Sequence, residues 1–171
     1  HAGSYDSNDF LGRHFDKNWS YPFEQSLVNC FDYNIFATNY SKDLLVDTLF
    51  GHKQYVGTEV TAGWPMEYLK NAIQNTDLKS DTIVFPHRIS PEKNPEIFTE
   101  LQRLLPKYEF VFAQEKKLTK EEYHALLRRA KIVFSASLQE TLGIGWYEGA
   151  LAGCIPVVPD RLSYSEMTAK L

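Results

Sequence analysis

The sequence predicts an α/β protein built on a Rossmann-like, doubly wound parallel sheet. From residue 80 onward, short runs of β-branched and aromatic residues alternate with helical patterns at the spacing of parallel βαβ units. Hydrophobic residues make up 43% and charged residues 23% of the 171 residues, so the chain can bury a core and a disordered chain is excluded. No internal repeat or low-complexity segment interrupts this pattern.

The first part of the chain gives a weaker pattern. Residues 1–30 are rich in Gly, Asp and Asn, and we expect them to be mostly loop with one helix near their end. Ser41 is predicted to cap the helix over 42–50, and Gly51 is predicted to end it. The predicted elements are a helix over 22–30, a strand over 33–38, a helix over 42–50, a strand over 55–60 and a helix over 66–74.

The second part alternates cleanly between strands and helices. One helical pattern places apolar Ile97, Phe98 and Leu101 on a single face. Thr119 stands three residues before Glu122, which predicts a capping box at the start of the next helix. The predicted strands cover 82–85, 108–113, 132–136 and 155–158, and the predicted helices cover 95–105, 119–130, 145–152 and a segment that opens at residue 163.

Composition narrows the class of protein. The net charge of −4 argues against a whole-surface grip on nucleic acid, although a local basic patch stays compatible with it. The two cysteines, Cys30 and Cys154, lie far apart and predict ordinary thiols in a reducing compartment, not a disulfide framework or a zinc site. With no long apolar run and no signal peptide, we expect no transmembrane segment and a cytoplasmic location, with peripheral membrane association left open.

Two glutamates, Glu140 and Glu148, flank a glycine-containing segment that leads into a predicted helix. This segment follows a predicted strand, where open α/β sheets bind their ligands. Gly143 and Gly145 let the backbone approach an anion, and the helix N-terminus adds partial positive charge. Glu148 is suited to accept hydrogen bonds from a ribose diol, and Glu140 from sugar hydroxyls. The pattern indicates a site for a diphosphate and a polyhydroxy ring.

Two cations follow the first strand of the second part. Arg88 comes directly after this strand, and Lys93 lies five residues later, just before a helix. A guanidinium can grip a diphosphate with two hydrogen bonds, whereas a lysine acts as a point charge. Together with the glutamate pair, these cations predict phosphate binding.

These two stretches together resemble the retaining, two-Rossmann-domain glycosyltransferases of the GT-B type, specifically the GT4-like family. That family carries a G-R-x-x-x-x-K arrangement and an E-x7-E element, which is followed by a helix rich in alanine and glycine and by a P-V-V strand. Here His87-Arg88 stands at the Gly-Arg position, Lys93 matches the lysine, and Glu140 and Glu148 match the two glutamates. The resemblance is good from about residue 82 to 166.

The resemblance implies a donor site for a nucleotide-diphosphate sugar, with no metal and no further cofactor. It implies the following donor-binding residues: Arg88, Lys93, Glu140, Thr141, Leu142, Gly143, Ile144 and Glu148. It assigns catalytic roles to Arg88, Lys93, Glu140 and His1, because the family has a cleft histidine where His1 stands. His14, His52 and His124 show no partner pattern and are predicted to be surface or half-buried histidines.

The resemblance also predicts the domain organisation. Residues 33–42 look like the last strand and helix of the family's N-terminal domain, and residues 63–66 stand at its interdomain linker. We therefore expect residues 1–64 to be the end of an acceptor-side Rossmann-like domain with its linker, and residues 65–171 to be the nucleotide-sugar-binding domain. The chain begins without Met, as expected for a fragment of a longer protein.

One departure from the family limits what the resemblance implies. Only residues 114–121 intervene where the family has a strand, a glycine loop and a further strand that help to hold the nucleobase, so the base is not carried over. The resemblance implies a retaining glycosyltransferase whose acceptor, a glycan, lipid, small molecule or nucleic acid, is open. The alternatives are a nucleic-acid or tRNA base glycosyltransferase of the same fold and a non-catalytic nucleotide-sugar-binding fragment. A pyridoxal-phosphate phosphorylase is disfavoured because a cofactor-lysine context is missing.

Overall fold

A computed structural model describes residues 3–51, 55–69, 78–169 and 171. The helices in this part of the chain are α1 (Phe10–His14), α2 (Lys17–Asn29), α3 (Asn39–Leu49), α4 (Pro95–Leu104), α5 (Lys120–Arg129), α6 (Ile144–Leu151) and α7 (Ser163–Thr168). The strands are β1 (Tyr33–Phe36), β2 (Thr58–Thr61), β3 (Ser80–Phe85), β4 (Glu109–Phe112), β5 (Ala130–Phe134) and β6 (Ile155–Val157). Short 3-10 helices cover Glu67–Leu69, Pro91–Lys93 and Ala113–Lys116.

The chain divides into two compact units. Unit 1 comprises the described residues of 1–64, 139–142 and 161–170, and unit 2 those of 65–138, 143–160 and 171. Each unit contains one parallel sheet, with two strands in unit 1 and four in unit 2. The α/β class with parallel, Rossmann-like sheets that the sequence predicts is therefore confirmed.

The sheet of unit 2 has the strand order β4-β3-β5-β6, and every neighbouring pair is parallel. The chain runs from β3 outward to β4 and then crosses back to β5 on the other side of β3. The strand order therefore reverses between β3 and β5. The carboxyl ends of two such strands form the crevice where open α/β sheets bind ligands.

The core of unit 2 is aromatic and centres on one residue of α4. Phe98 is fully buried, and its ring centroid lies 4.8–5.6 Å from those of four phenylalanines on the strands beneath it. These are Phe85 of β3, Phe110 and Phe112 of β4, and Phe134 of β5. One helix residue therefore ties three strands together. The apolar face predicted for this helix is only partly correct, because Phe98 is buried and Leu101 packs against the core, whereas Ile97 is 41% exposed.

Unit 1 has a smaller core. β1 pairs with β2 in parallel, and Leu45, Leu49 and Phe50 at the end of α3 form its buried cluster. Half-buried residues of α2 and β1, among them Val28 and Phe36, pack against this cluster. Its strands are short, and a larger share of their residues is exposed than in the central strand of unit 2.

Several predicted elements are corrected by the structure. Residues 1–30 are not mostly loop, because α1 and α2 occupy much of this segment. Helix α2 begins at Lys17, where the Asp16 side chain accepts from the Asn18 N–H, and Pro22 lies inside the helix and does not begin it. Thr38, not Ser41, caps α3. The predicted helix over 66–74 includes the 3-10 turn over 67–69, and its remaining residues after 69 lie outside the described ones.

The capping box predicted at α5 is confirmed. The Thr119 hydroxyl accepts from the Glu122 N–H at 3.2 Å, and the Glu122 carboxylate accepts from the Thr119 N–H at 2.8 Å. Of the histidines, His124 is buried, so its prediction as a surface or half-buried residue is wrong, while His52 lies outside the described residues. Within the described ranges, no helix has the length and apolar character needed to cross a membrane.

Candidate functional site

The two predicted ligand-binding stretches start at the carboxyl ends of β3 and β5. The first follows β3 and contains Arg88 and Lys93. The second follows β5 and leads through residues 139–142, which belong to unit 1, into α6 of unit 2. Both stretches therefore begin beside the reversal of strand order in unit 2, where the sheet geometry favours a ligand.

The loop after β3 is organised around a buried carboxylate. Both Nε and Nη2 of Arg88 donate to the same oxygen of Glu92, at 2.8 Å and 2.6 Å, and the Ser90 hydroxyl donates to that oxygen at 2.6 Å. The Glu92 side chain is only 3% exposed, whereas that of Arg88 is 57% exposed. The Glu92 carboxylate therefore holds one edge of the guanidinium, while much of Arg88 faces solvent.

The same loop is bonded to the segment after β5 within unit 2. The Leu138 N–H donates to the Glu92 carbonyl oxygen at 2.8 Å.

Burial favours the protonated Glu92 side chain, but hydrogen bonds from Ser90, from its own backbone N–H and from Arg88 outweigh burial and lower its pKa to about 2. Glu92 is therefore a carboxylate at neutral pH.

Lys93 and His87 are both buried in this loop. Burial, reinforced by the positive charge of Lys93, lowers the pKa of His87 to about 3. The imidazole is therefore neutral at pH 7 and adds no charge next to the lysine. Its ring also lies edge-on to Phe85, with the centroids 5.3 Å apart.

Glycines shape the start of α6. Gly143 has φ 86°, and any Cβ there would clash with the indole nitrogen of Trp146. This N-cap residue has no side chain, so it makes no side-chain hydrogen bond to the first N–H groups of the helix. Further along, a Cβ on Gly149 would lie 2.7 Å from Cβ of Val133, so this helix approaches β5 closely. Because its N-cap is a glycine, the N-terminus of α6 leaves room for an anion next to its N–H groups.

Glu148 lies on α6 and is half-buried. Its pKa is raised by burial, an effect that a hydrogen bond from Tyr123 and the charge of Lys120 partly oppose. The pKa of Tyr123 is raised in turn, by burial and by the neighbouring carboxylate. The phenol of α5 therefore donates to Glu148 and orients it.

Residues 140–142 are anchored within unit 1. The Thr141 carbonyl oxygen accepts from the Thr38 hydroxyl at 2.8 Å and from the Ser41 hydroxyl at 2.9 Å. The Thr141 N–H donates to a carboxylate oxygen of Glu140 at 3.3 Å. Leu142 is buried. Two hydroxyls from the start of α3 therefore hold the peptide group next to Glu140.

The predicted site residues divide between the two units. Arg88, Lys93, Gly143, Ile144 and Glu148 lie in unit 2. Glu140, Thr141 and Leu142 lie in unit 1, and His1 lies outside the described residues. Their roles stay predictions.

The sequence reasoning missed several residues that hold the predicted ones. Glu92 precedes Lys93 directly, and its place in a loop with a serine and an arginine was the available signal. Tyr123, Thr38 and Ser41 contact the predicted residues from distant parts of the chain, and no spacing in the sequence points to these pairs.

A cavity of about 350 Å³ lies between β4 and α5, and none of the predicted site residues lines it. Across the described parts of the chain, no group of three or more His, Cys, Asp or Glu side chains is arranged to hold a metal ion.

No protein-family model matches the chain. The tRNA-queuosine alpha-mannosyltransferase of Drosophila melanogaster is 28% identical to it over 125 residues, covering 57% of this chain and 33% of that protein. The crystal structure of the pneumococcal O-GlcNAc transferase GtfA in complex with UDP and GlcNAc is similar with a TM-score of 0.56 and 14% identity, covering 82% of this chain and 32% of that one. The chain thus spans 33% and 32% of the lengths of these two proteins. The structural likeness agrees with the Rossmann-like fold.

Proposed function

We propose that this protein is a glycosyltransferase that moves a sugar from a nucleotide-diphosphate sugar to an acceptor, with retention at the anomeric carbon. The observation that carries the proposal is the pair of stretches at the carboxyl ends of β3 and β5. One contains Arg88, paired with the buried Glu92 carboxylate, and the buried Lys93, and the other leads into a helix whose N-cap is a glycine. The names of the two similar proteins, both sugar transferases, support it.

In this proposal the diphosphate is bound by the cations and by the backbone. Arg88 donates from its exposed part, and Lys93 supplies a second positive charge. The backbone N–H groups of residues 143–145, together with the α6 dipole, add partial positive charge. Negative charge grows on the diphosphate as it leaves, so these groups stabilise the transition state more than the ground state.

The carboxylates would contact the hydroxyl groups of the donor. Glu148 would accept from the ribose diol, held in place by the Tyr123 phenol. Glu140 would accept from hydroxyls of the transferred sugar, with Thr141 and Leu142 setting its position. His1 would contact the same sugar. The acceptor hydroxyl would attack from the face of the leaving group, so the proposal needs no glycosidase-like carboxylate pair. It includes no metal and no further cofactor, as the resemblance to the GT4-like family implies.

Titration calorimetry with UDP, GDP, ADP and CMP tests this proposal. We expect one nucleoside diphosphate to bind, and its affinity to fall about 10- to 100-fold in Arg88→Ala and in Glu148→Ala, because each loses charge-assisted hydrogen bonds. Arg103→Ala and Glu121→Ala are matched controls, because both side chains are exposed and neither belongs to the predicted site residues. A folded protein that binds none of the four nucleotides would contradict the proposal.

Donor turnover separates the catalytic function from the binding alternative. A glycosyltransferase should hydrolyse or transfer from the matching nucleotide sugar, and Lys93→Met should slow this step more than it weakens binding of the free nucleotide. Binding that is lost in Glu148→Ala, without turnover in the full-length protein, would favour the non-catalytic nucleotide-sugar-binding module.

A tRNA acceptor is the second candidate function. It is favoured by the 28% identity to a protein named tRNA-queuosine alpha-mannosyltransferase. The net charge of −4 opposes it, although basic residues near the end of α5, Arg128, Arg129 and Lys131, leave room for a local contact with phosphates. Transfer of mannose from a nucleotide donor to tRNA that contains queuosine, and not to tRNA that lacks it, would support this acceptor. Binding to tRNA should also weaken steeply as salt is raised.

A further inference from the structure

Two buried hydroxyls at the start of α3 converge on a single backbone oxygen about a hundred residues later in the chain. Thr38 is fully buried, Ser41 is 7% exposed, and both donate to the Thr141 carbonyl oxygen, at 2.8 Å and 2.9 Å. A carbonyl oxygen has two lone pairs, so these two bonds saturate it. The Thr141 peptide group is therefore held in one orientation.

We propose that Thr38 and Ser41 are positioning residues that fix the backbone beside Glu140, and thereby place the Glu140 carboxylate for the transferred sugar. This inference rests on the proposed function, because it assigns the hydroxyls a role in sugar transfer. Neither hydroxyl needs to touch the donor. Their effect passes through the peptide group that follows Glu140.

Helix capping alone does not explain this arrangement. Thr38 caps α3 by accepting from the Ser41 N–H at 3.2 Å, and that cap uses the backbone of residue 41 and not its hydroxyl. The Ser41 hydroxyl takes no part in that cap bond; its oxygen lies 2.8 Å from the Thr38 hydroxyl and 2.9 Å from the Thr141 carbonyl oxygen, to which it donates. Ser41→Ala therefore removes one of the two anchoring bonds while the cap stays in place.

The Glu140 side chain is bonded to the anchored peptide group itself. One of its carboxylate oxygens accepts from the Thr141 N–H at 3.3 Å, which is a long hydrogen bond. A change in the plane of the 141 peptide group would therefore move both the backbone and the carboxylate. Displacement of a positioning group by about 1 Å can cost about a hundredfold in rate, even when binding elsewhere is intact.

The test compares three variants and one control in the full-length protein. Ser41→Ala and Thr38→Val each remove one hydroxyl, Thr38→Ser keeps the hydroxyl and the cap, and Ser26→Ala removes an exposed hydroxyl that donates only within its own helix, to the Pro22 carbonyl. For each protein, three quantities are measured: the Kd of the nucleoside diphosphate, and the kcat and KM for turnover of the nucleotide sugar.

We expect Ser41→Ala to lower kcat about tenfold, as the loss of one buried hydrogen bond allows, and to change the Kd of the nucleoside diphosphate less than about twofold. Thr38→Val should lower kcat at least as much, and Thr38→Ser should restore most of it. Ser26→Ala should match the wild-type protein. A general structural defect would instead lower kcat and weaken nucleotide binding together. The kcat of Thr38→Ser would then be as low as that of Thr38→Val.

The outcomes distinguish the inference from the function on which it rests. A wild-type protein that binds no nucleotide and turns over no donor overturns both. A wild-type protein that turns over its donor, with kcat unchanged in Ser41→Ala and Thr38→Val, overturns only the positioning role. Parallel losses of kcat and nucleotide affinity in the two variants would also overturn it.

Discussion

Strand β3 of unit 2 and strand β1 of unit 1 both pair in parallel within their sheets, but their residues are buried to very different extents. Four consecutive residues of β3, from Thr82 to Phe85, are buried. In β1, Tyr33 and Ile35 are 67% and 71% exposed, and the residues between and after them are only half-buried. A central parallel strand covered on both faces has a continuous apolar run, whereas β1 is covered on one face within the described residues.

The two candidate site segments are also held in place in two different ways. In unit 2 the loop after β3 is held by burial, because Glu92, Lys93 and His87 are all buried within it. In unit 1 the segment around Glu140 is held by hydrogen bonds from Thr38 and Ser41. The first should respond most to changes of core volume and charge, and the second to single hydroxyl groups.

The largest expected effect is on the core of unit 2. Phe98→Ala should lower the free energy of unfolding by about 3–5 kcal/mol, because it removes a buried ring that contacts three strands. The corresponding change in unit 1, Leu49→Ala, should cost about 2–3 kcal/mol, because its cluster is smaller. Chemical denaturation measures both.

Ile97→Ala is the control for this comparison, because Ile97 is 41% exposed on the same helix as Phe98. It should change the free energy of unfolding by no more than about 0.5 kcal/mol. A cost for Leu49→Ala equal to that of Phe98→Ala would remove the distinction between the two cores.

The next effect is a loss of stability in acid that comes from the Glu92 carboxylate. Its pKa is lowered from 4.5 to about 2 in the folded protein. A lowered carboxyl pKa stabilises the fold above the unfolded value, and this contribution is lost as pH falls from about 4.5 to about 2. Over this window the wild-type protein should lose roughly 2–3 kcal/mol that Glu92→Gln does not lose.

The measurement is the difference in unfolding free energy between wild type and Glu92→Gln at a series of pH values from 6 to 3. Taking this difference removes the separate contribution of His87, whose pKa is lowered from 6.5 to about 3 and which also destabilises the fold as pH falls. A difference that does not depend on pH would mean that the carboxylate is not stabilised by its partners.

A smaller effect is expected at the ends of two helices in unit 2. The Lys79 ammonium donates to the Arg128 carbonyl of α5 at 2.7 Å and to the Ala152 carbonyl after α6 at 2.8 Å. Lys79→Met keeps the aliphatic stem but removes both bonds and the cation at two helix C-termini, so we expect a loss of about 1–2 kcal/mol. Thermal or chemical unfolding measures it.

Lys131→Met is the matched control for Lys79→Met. Lys131 pairs with Asp81 at 2.7 Å, but both side chains are exposed, so the expected change is at most about 1 kcal/mol. If Lys79→Met and Lys131→Met lower the free energy of unfolding equally, the two helix ends do not depend on Lys79.

The sequence predicted the fold of unit 2 far better than that of unit 1, for a physical reason. Buried parallel strands such as β3 are continuous apolar runs, and the Thr119–Glu122 capping box is a purely local pattern, so both can be recognised in the sequence. In unit 1 the sequence predicts a helix that begins at Pro22, and proline is indeed favoured in a first turn. The helix instead begins at Lys17 with the Asp16 cap, so Pro22 lies inside α2.

The candidate site shows a similar division. Residues such as Arg88 and Glu148 could be proposed from local spacing, because their chemistry and their position after a strand are visible in the sequence. The side chains that orient them could not, since Tyr123 reaches Glu148 from another helix and Thr38 reaches Thr141 across 103 residues. Such partners depend on the folded arrangement, and no local pattern of the sequence contains them.

The contact at residue 141 has a consequence for how the sequence can change. Thr38 and Ser41 bond to a carbonyl oxygen, which every amino acid carries, so the side chain at 141 can be replaced without loss of the anchor. The hydroxyls at 38 and 41 have no such freedom, because only serine or threonine supplies a donor of that size there. Natural variants should therefore tolerate many residues at 141 and few at 38 and 41, so the most constrained positions would lie far in sequence from the glutamate they serve.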